Sequence, residues 1–472
     1  MEIKGRMSGS VLCLAACWLA PTDLAAASLS AQDPRSVVIE SVHVVDVEAG
    51  RVVPSQDVSV VAGRITGVTP SGSGPLPEGA TVLDGRGLYL VPGFVDAHVH
   101  LWNQFSLDLL LAHGVTTVRD LNGSPYELGL RGQIAMGLRR GPRLVLASPI
   151  LEGTPPPESA DVIVTEGRII VDDSATAADT VRWLIAQGYD AVKVYNNLNR
   201  SAYAGIVAAA AQLDVPVVGH VPLSVGLSGA FEAHQSSIEH LRGYVLGAVP
   251  PEAPDRPDAD LRSRLVAWRH ADTTRLRELA NRTAQEGVWN TPTLGVLEDL
   301  LPSNRIAELT SRPGWKRCMG GRYADPIATR RRAPYFAVMT DDDFAATQEG
   351  AAVQKRLVGM LYESGAHLLV GTDRLPWGFT FHWELEELSE TGIDAGPLLR
   401  AATLGAAEHL GLALEIGSIE VGKRADLVLL DADPLRDIRN AHRIRAVVSN
   451  GVVYGRSRID SMIDAACEAL SG

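Results

Sequence analysis

The feature that most constrains the fold of this chain is the regular alternation of short apolar segments with helical segments over residues 91–408. This alternation predicts parallel strands covered by helices. Helical segments such as 177–187, 202–212 and 274–286 separate the strands. The eight candidate strands end near His100, Asp120, Ser148, Tyr195, His220, His240, Thr293 and Asp373. Eight strands suit a closed (β/α)8 TIM barrel, which we prefer to an open doubly wound sheet because no Gly-rich nucleotide loop follows the first strand.

Both ends of the chain have a different sequence pattern from this α/β region. Short β-rich runs broken by Gly and Pro occupy residues 37–90, and similar runs return at 425–430 and 446–448. Asn450-Gly451 is a strong signal for a hairpin turn. We therefore predict a small β-sandwich domain built from both termini, residues 34–90 and 409–472, which flanks the barrel of residues 91–408.

Two segments exceed the minimal barrel pattern. A Pro/Asp-rich loop occupies residues 249–255, and a long charged stretch covers 298–354. Loops that leave the carboxyl ends of barrel strands surround the active site. Each segment is therefore either a lid or pocket wall, or a solvated surface excursion.

The charge balance argues against a nucleic-acid partner. Asp and Glu number 56 against 43 Lys and Arg, for a formal net charge of -13. No Lys/Arg cluster offers a footprint for a phosphate backbone. We expect a small-molecule substrate, and a homo-oligomer is compatible with the sequence.

The first 31 residues have the order of an export signal. A basic start with Lys4 and Arg6 precedes the apolar run 11–20 and the small residues 25–28. The apolar run is too short to form a transmembrane helix. We expect an exported protein, periplasmic or secreted; the alternative is a lipoprotein anchored through Cys17, which ends a Leu-Ala-Ala-Cys box.

Two cysteines remain beyond the predicted signal, Cys318 and Cys467. In an oxidising compartment they could pair, but the sequence does not show whether their Cα atoms approach closely enough. A disulfide and two buried thiols are both compatible with the sequence.

The most informative side chains are histidines at predicted strand ends. His98 and His100 stand at i and i+2, so a β-strand points both imidazoles to the same face. One strand can thus supply two nitrogen ligands to one metal.

Further reactive side chains follow on later strands. Lys193 lies within an apolar strand, where an unpaired ammonium is costly, so we expect a lowered pKa or a modified amine. His220, His240 and Asp373 each end a short apolar run. Because strand ends converge in a barrel, we predict that these residues form one site with His98 and His100.

These motifs resemble those of the amidohydrolase superfamily, in particular its imidazolonepropionase-like and prolidase-like members. The resemblance extends from about Val37 to Tyr454. The segments that carry it are 92–100 (PGFVDAHVH), 192–195 (VKVY), 219–222 (GHVP), 237–241 (SIEHL), 371–373 (GTD) and 417–428 (GSIEVGKRADLV).

The resemblance implies a centre of two divalent metals. His98 and His100 would bind the first metal, and His220 and His240 the second. Lys193, carboxylated by CO2, would bridge both metals, and Asp373 would bind the first metal and move the proton. Imidazole and carboxylate ligands suit Zn2+, with Mn2+ or Fe2+ as alternatives.

Two further residues are candidates for contact with the substrate. Tyr195 shares a face with Lys193, so it either donates a hydrogen bond to a developing oxyanion or packs at the barrel mouth. His382 matches a histidine that similar proteins place near the substrate; otherwise it lines or caps a helix.

The chain departs from many relatives after the G-T-D segment, where Asp373 is followed by Arg374 and, three residues later, by Trp377. Both side chains could shape an unusual pocket. Arg374 either binds a substrate carboxylate by a bidentate contact or forms a local ion pair.

Together these features predict a binuclear metal-dependent hydrolase that cleaves an amide C–N bond of a dipeptide or an N-acyl amino acid. The alternatives are an esterase, lactonase or phosphoesterase that uses the same site, because an activated water does not dictate the leaving atom. A non-catalytic barrel scaffold is a third alternative, but it predicts missing ligands, and none is missing.

Overall fold

A computed structural model gives the fold of residues 36–74, 79–101, 103–154, 167–255, 257, 261–321, 324–332 and 334–471. The predicted export signal over 1–31, including Cys17, lies outside these described residues.

Seventeen β-strands are assigned in the described part of the chain. In chain order they are β1 (Ser36–Asp46), β2 (Arg51–Val61), β3 (Arg64–Pro70), β4 (Thr81–Asp84), β5 (Tyr89–Pro92), β6 (Phe94–Val99), β7 (Val115–Asp120), β8 (Arg143–Leu146), β9 (Leu151–Glu152), β10 (Ile169–Ile170), β11 (Val192–Val194), β12 (Val217–Gly219), β13 (Ser237–Glu239), β14 (Trp289–Thr291), β15 (Leu427–Leu430), β16 (Ile444–Ser449) and β17 (Val452–Gly455).

The α-helices lie mainly between and after the central strands. They are α1 (Phe105–Ala112), α2 (Pro125–Ala135), α3 (Ser174–Ala186), α4 (Arg200–Gln212), α5 (Gly226–Glu232), α6 (Tyr244–Ala248), α7 (Leu261–Ala267), α8 (Thr273–Glu286), α9 (Gly295–Glu298), α10 (Ile306–Thr310), α11 (Pro313–Cys318), α12 (Pro326–Arg332), α13 (Pro334–Ala337), α14 (Asp341–Glu363), α15 (Phe379–Ser389), α16 (Ala395–Ala401), α17 (Leu404–His409) and α18 (Arg456–Ser471). Among the described residues, no helix has both the length and the apolar character needed for a bilayer span.

The two ends of the chain share one mixed eight-stranded sheet. Its order is β17-β16-β15-β5-β1-β2-β3, and β4 pairs with β1. Asn450 and Gly451 both have positive φ, 51° and 77°, as the hairpin turn between β16 and β17 requires. The predicted pairing of the termini is confirmed. The predicted two-layer sandwich is not confirmed, because the described strands of this region belong to a single sheet.

The central region consists of parallel strands with helices between them. Strands β6-β7-β8 form one sheet, and β10-β9-β11-β12-β13-β14 form another. Seven of the eight predicted strand ends fall within two residues of an observed end, and the three predicted helices correspond to α3, α4 and α8. The eighth predicted strand is not regular: Leu368 forms one parallel bridge to Asn290.

Short links join these sheets. A parallel bridge connects Ala147 after β8 with Ala191 before β11. On the other side, the Ala97 amide of β6 donates a hydrogen bond to the Val370 carbonyl at 2.8 Å. The described strands thus lie side by side with their carboxyl ends at a common edge, but they are not assigned to one continuous sheet.

The long charged stretch is not a bare loop. It contains helices α10 to α13 and the first part of α14. Thr340 caps α14 with a reciprocal hydrogen-bond pair to Asp343, which satisfies amide donors that a helix start leaves unpaired. Leu357 and Leu361 of α14 belong to the large hydrophobic core of the central region.

Cys318 and Cys467 form a disulfide, with their Cα atoms 4.2 Å apart. The bond joins the end of α11 to α18, and α18 also packs against α1. Of the two alternatives that the sequence left open, the structure contains the paired one.

Removal of this disulfide should destabilise the protein. The bond joins residues 149 positions apart, so its loss frees a long loop in the unfolded chain. We expect Cys318→Ala combined with Cys467→Ala to lower stability by about 2–5 kcal/mol and to lower the thermal midpoint accordingly. Reductant should shift the wild type to the same midpoint and leave the double variant unchanged. A double variant as stable as the oxidised wild type would contradict this expectation.

Candidate metal centre

Three predicted ligands from distant parts of the sequence meet at the carboxyl ends of the strands. His98 lies in β6, His240 directly follows β13, and Asp373 follows the Leu368 bridge. One ligand atom from each lies within 4.8 Å of the other two. The Asp373 carboxylate is 3.8 Å from His98 Nε2 and 3.5 Å from His240 Nε2. This is the spacing of groups that can share one cation.

His100 and His220 extend this cluster. His100 Nε2 is 3.2 Å from the Asp373 carboxylate. The His220 ring centre lies 5.0 Å from that of His240, at right angles. The His98 and His240 ring centres are 4.7 Å apart. All four predicted histidine ligands therefore surround one region.

Lys193 lies in β11, next to the strand that ends at Gly219, and only 1% of its surface is exposed. A Cβ at position 219 would approach Lys193 Cδ to 2.9 Å, and Gly219 has a φ of 128°. Glycine at this position therefore leaves room for the lysine. No ion pair of the Lys193 ammonium occurs among the described residues, and burial lowers its pKa to about 8.

Burial also favours the neutral form of three of the four histidines. It lowers the pKa of His98 to about 4 and holds the pKa of His220 and His240 well below the ordinary value. For Asp373, burial works to raise the pKa, but the neighbouring His98 and His100 outweigh it and keep the carboxyl ionised. Neutral imidazoles, as at His98, His220 and His240, are the form of histidine that a divalent metal requires. Burial works to lower the pKa of His100 as well, but the neighbouring Asp373 carboxylate outweighs it and raises that pKa.

Each of three histidines is held through its Nδ1 atom. The partners are Glu239 Oε2 for His98 at 2.9 Å, Asn196 Oδ1 for His220 at 2.9 Å, and Thr293 Oγ1 for His240 at 2.6 Å. Such contacts fix the ring orientation of a metal ligand and leave Nε2 for the metal.

The Nε2 atom of His98 supports the interpretation of this cluster as a metal centre. His98 Nε2 is buried and has no hydrogen-bond partner among the described residues. Burial of a polar atom without a partner costs free energy. The chemistry of the donor set and this unsatisfied atom therefore fit a divalent metal.

Glu239 and Arg119 belong to the site but were not assigned to it from the sequence. Arg119 Nη2 donates to Glu239 Oε1 at 2.9 Å, and Arg119 Nε donates to the Ala97 carbonyl at 2.6 Å. Burial works to raise the Glu239 pKa, but the charge of Arg119 outweighs it, so the carboxylate is ionised beside His98. The available signal was an ionisable residue inside an apolar strand, the same signal that identified Lys193.

A second acidic side chain, Glu384, holds the turn that carries Thr293, and burial raises its pKa to about 8. Glu384 of α15 accepts hydrogen bonds from the amides of Leu294 and Gly295, both at 2.8 Å. Thr293 has a φ of 49° and contacts His240. Glu384 thus supports a candidate ligand histidine from a distant helix.

Tyr195 lies beside the cluster, as predicted from its position after Lys193. Its ring stacks on that of His220, with centres 3.9 Å apart, and the Arg168 guanidinium lies 4.2 Å from its ring centre. The structure therefore brings Tyr195 to the ligands, and its hydroxyl role stays a prediction.

His382 does not join the site. His382 Nε2 contacts the His113 carbonyl at 3.0 Å, and its ring packs against Phe94 at the start of β6. His98 and His100 lie at the opposite end of this strand. The structure therefore places His382 away from the candidate ligands, as a buried residue that packs α15 against the sheet, which is the helix-lining alternative.

Arg374 follows Asp373 but has a local partner. Its Nη2 is 2.9 Å from Asp299, and its guanidinium lies 5.3 Å from the ring centre of Trp383. Of the two roles considered for Arg374, the structure therefore contains the local ion pair. Trp377 is almost fully buried, with 1% exposed.

A buried set of imidazoles and one carboxylate at the carboxyl ends of parallel strands is typical of metal-dependent hydrolases. Comparison with known proteins gives the family. Residues 89–454 match the amidohydrolase family. The chain belongs to this family.

Individual relatives share less than a quarter of their residues with this chain in the two alignments that follow. An adenine deaminase of Paracoccus denitrificans is 23% identical over 433 residues, which cover 90% of this chain and 58% of that protein. An adenine deaminase of Rubrobacter xylanophilus is likewise 23% identical, over 89% of this chain. The chain thus spans somewhat more than half the length of these curated relatives, 58% in both cases.

Solved structures resemble the fold over most of the chain. A bottromycin amidohydrolase is 28% identical, with a TM-score of 0.70, and the match covers 93% of this chain and 91% of that one. A putative prolidase from Bifidobacterium longum is 24% identical with a TM-score of 0.66, over 92% of this chain and 99% of that one. These amidohydrolase neighbours imply a TIM-barrel architecture for the central region.

Glu239 provides a test of the metal centre that does not depend on activity. Glu239→Gln removes the negative charge beside His98, so we expect metal affinity to fall about 10- to 100-fold. Competition with a chelator measures this affinity. Glu408→Gln, an exposed carboxylate paired with Arg400, is the matched control and should bind metal like the wild type. Unchanged affinity in Glu239→Gln would contradict the role of Glu239.

Proposed function

We propose that this protein is a binuclear metal-dependent hydrolase that cleaves the C–N bond of a small molecule such as a dipeptide or an N-acyl amino acid. The observation that carries the proposal is the meeting of His98, His240 and Asp373 within 4.8 Å, with His100, His220 and Lys193 around them. Family membership supports the hydrolase activity.

The proposal takes a closed (β/α)8 barrel as the frame of the site. Support comes from the Ala147–Ala191 and Asn290–Leu368 bridges and from the Ala97–Val370 hydrogen bond, which connect the parallel strands around the same edge. The amidohydrolase neighbours support the same frame.

We assign His98, His100 and Asp373 to one divalent metal and His220 and His240 to a second. Lys193 would bridge them after its amine adds CO2, because a carbamate replaces a buried cation by an anion that two dications can neutralise. Zn2+ suits these ligands best, with Mn2+ or Fe2+ as alternatives. Such metals, when bound, would lower the pKa of a water toward about 7 and would polarise the carbonyl of the substrate.

The side chains of the protein then have separate tasks. Asp373 is ionised, so a carboxylate oxygen can accept the proton of the attacking water and pass it to the leaving nitrogen. Tyr195 stacks on His220, which places a hydroxyl-bearing side chain beside the ligands, and it would donate a hydrogen bond to the developing oxyanion.

Substitution of Asp373 and Lys193 tests this assignment. We expect Asp373→Asn to lower kcat about 10²- to 10⁴-fold through loss of the proton acceptor. Lys193→Ala should also abolish turnover and lower the metal content measured by elemental analysis. Asp179→Asn and Lys316→Ala, both at exposed positions, are the matched controls. Full activity and full metal content in either site variant would contradict the proposal.

A substrate panel separates the candidate activities. The metal-loaded protein would be assayed with N-acyl amino acids, Xaa-Pro dipeptides, adenine, lactones, aryl esters and aryl phosphates. Release of amine or ammonia supports C–N hydrolysis, whereas turnover of only the oxygen esters supports the esterase, lactonase or phosphoesterase alternative. Fewer than one equivalent of metal after growth with zinc or manganese would support the non-catalytic scaffold.

We also propose that residues 1–31 direct export to the periplasm or the medium. The proposal rests on the order of basic, apolar and small residues in the sequence. N-terminal sequencing of the protein from a bacterial host should show that these residues are removed. A lipid-modified mature chain that begins at Cys17 would support the lipoprotein alternative, and an intact cytoplasmic chain would contradict export.

A further inference from the structure

The segment that follows Lys193 carries two residues that contact His220, a candidate ligand of the second metal. The Tyr195 ring stacks on the His220 ring, with the ring centres 3.9 Å apart and an angle of 24° between the planes. The Asn196 side chain contacts His220 Nδ1 at 2.9 Å. The placement of the His220 ring therefore depends on what holds this segment.

The strands next to β11 pack tightly against the same segment. Strand β9 pairs with β11 through Leu151 and Val194, and with β10 on its other side. Gly153 follows β9, and a Cβ at this position would lie 2.1 Å from the Asn197 carbonyl oxygen. Only glycine permits such a close approach of the two backbones. The residues after β9 therefore lie directly against the residues after β11.

Glu152, the last residue of β9, joins this packing through hydrogen bonds. None of its side chain is exposed, 0%. Glu152 Oε1 accepts hydrogen bonds from the Asn197 amide at 2.7 Å and from the Gly153 amide at 3.1 Å. Glu152 Oε2 lies 3.3 Å from Arg168 Nη1. One buried acidic side chain thus holds both the backbone after Tyr195 and the guanidinium of Arg168.

Arg168 connects Glu152 to the ring stack. It directly precedes β10, and only 10% of its side chain is exposed. The guanidinium carbon lies 4.2 Å from the centre of the Tyr195 ring. A guanidinium within about 6 Å of an aromatic ring centre is attracted to the ring face, and the attraction grows when water is excluded. The contacts therefore run without a gap from Glu152 to the ring of His220.

We propose that Arg168 is a positioning residue for His220 and acts through the ring of Tyr195. Glu152 fixes the guanidinium, whose planar shape stacks well on an aromatic face. The orientation of the His220 ring sets the direction of its Nε2 atom, which is the atom left for a metal. The inference rests on the proposed function and deepens it, because Arg168 would support the second metal and not the first.

Metal binding tests this positioning role without turnover. Chelator competition with Zn2+ on the full chain would resolve the first and second binding steps. We expect Arg168→Met to weaken the second step about 10- to 100-fold. The first step should stay unchanged, because the first metal is assigned to other ligands. Arg168→Lys should retain part of the second-step affinity, since the charge stays but the planar fork is lost.

A double-mutant cycle shows whether Arg168 acts through Tyr195. Tyr195→Leu removes the aromatic ring, so Arg168→Met in this background should cause little further loss of second-metal affinity. Losses that add in full would overturn the inference. Arg182→Met is the matched control, since Arg182 is an exposed arginine of α3 that pairs with Asp179 at 2.7 Å, and it should bind both metals like the wild type.

Glu152→Gln provides a second variant, with the thermal midpoint of each variant as a check of folding. The amide oxygen of glutamine still accepts the hydrogen bond of the Asn197 amide, but the acidic group beside Arg168 is lost. We expect the second step to weaken here as well. An unchanged second step in both Arg168→Met and Glu152→Gln would overturn the inference. So would equal weakening of both steps, which is the result of a general loss of structure.

Kinetics separate this inference from the proposed function. Selective weakening of the second step in Arg168→Met, together with no C–N hydrolysis by the wild type, would reject the hydrolase and retain the positioning role. C–N hydrolysis by the wild type, together with an unchanged second step in Arg168→Met, would retain the hydrolase and reject the positioning role.

Discussion

A buried ion pair supports the candidate metal centre. Arg119 and Glu239 come from different strands, and both side chains are almost completely removed from solvent. Loss of one partner would leave an uncompensated charge in the interior, which is costly. Because the same Glu239 carboxylate contacts His98 Nδ1, the geometry of a candidate metal ligand depends on this pair. The central strands are therefore joined by charges as well as by backbone hydrogen bonds.

The acidic side chains of Asp96 and Glu384 connect other segments of the site through hydrogen bonds. Asp96 of β6 accepts hydrogen bonds from the Thr372 amide and hydroxyl and from the His98 amide. This contact joins the first ligand strand to the segment that ends in Asp373. Glu384 performs a comparable role for the turn around Thr293. The ligand atoms are thus positioned by polar contacts that reach across the sheet, in addition to the local conformation of each strand.

The charge state of the site follows from its burial. Desolvation disfavours protonated imidazole and ammonium groups, so His98, His220 and His240 are neutral and Lys193 has a lowered pKa. The same physical effect that makes these residues costly in an apolar interior makes them available as ligands.

The sequence by itself determined the parallel β/α order, the β-rich character of both ends and the positions of the candidate ligands, because each depends on a local pattern. An i, i+2 histidine pair on a strand and a polar residue at the end of an apolar run can be read without knowledge of distant segments. Only the tertiary structure decided the Cys318–Cys467 bond, the partners of His98 and Arg374, and the place of His382. These depend on which distant residues come into contact, and contacts between segments more than a hundred residues apart leave no periodic signal in a single sequence.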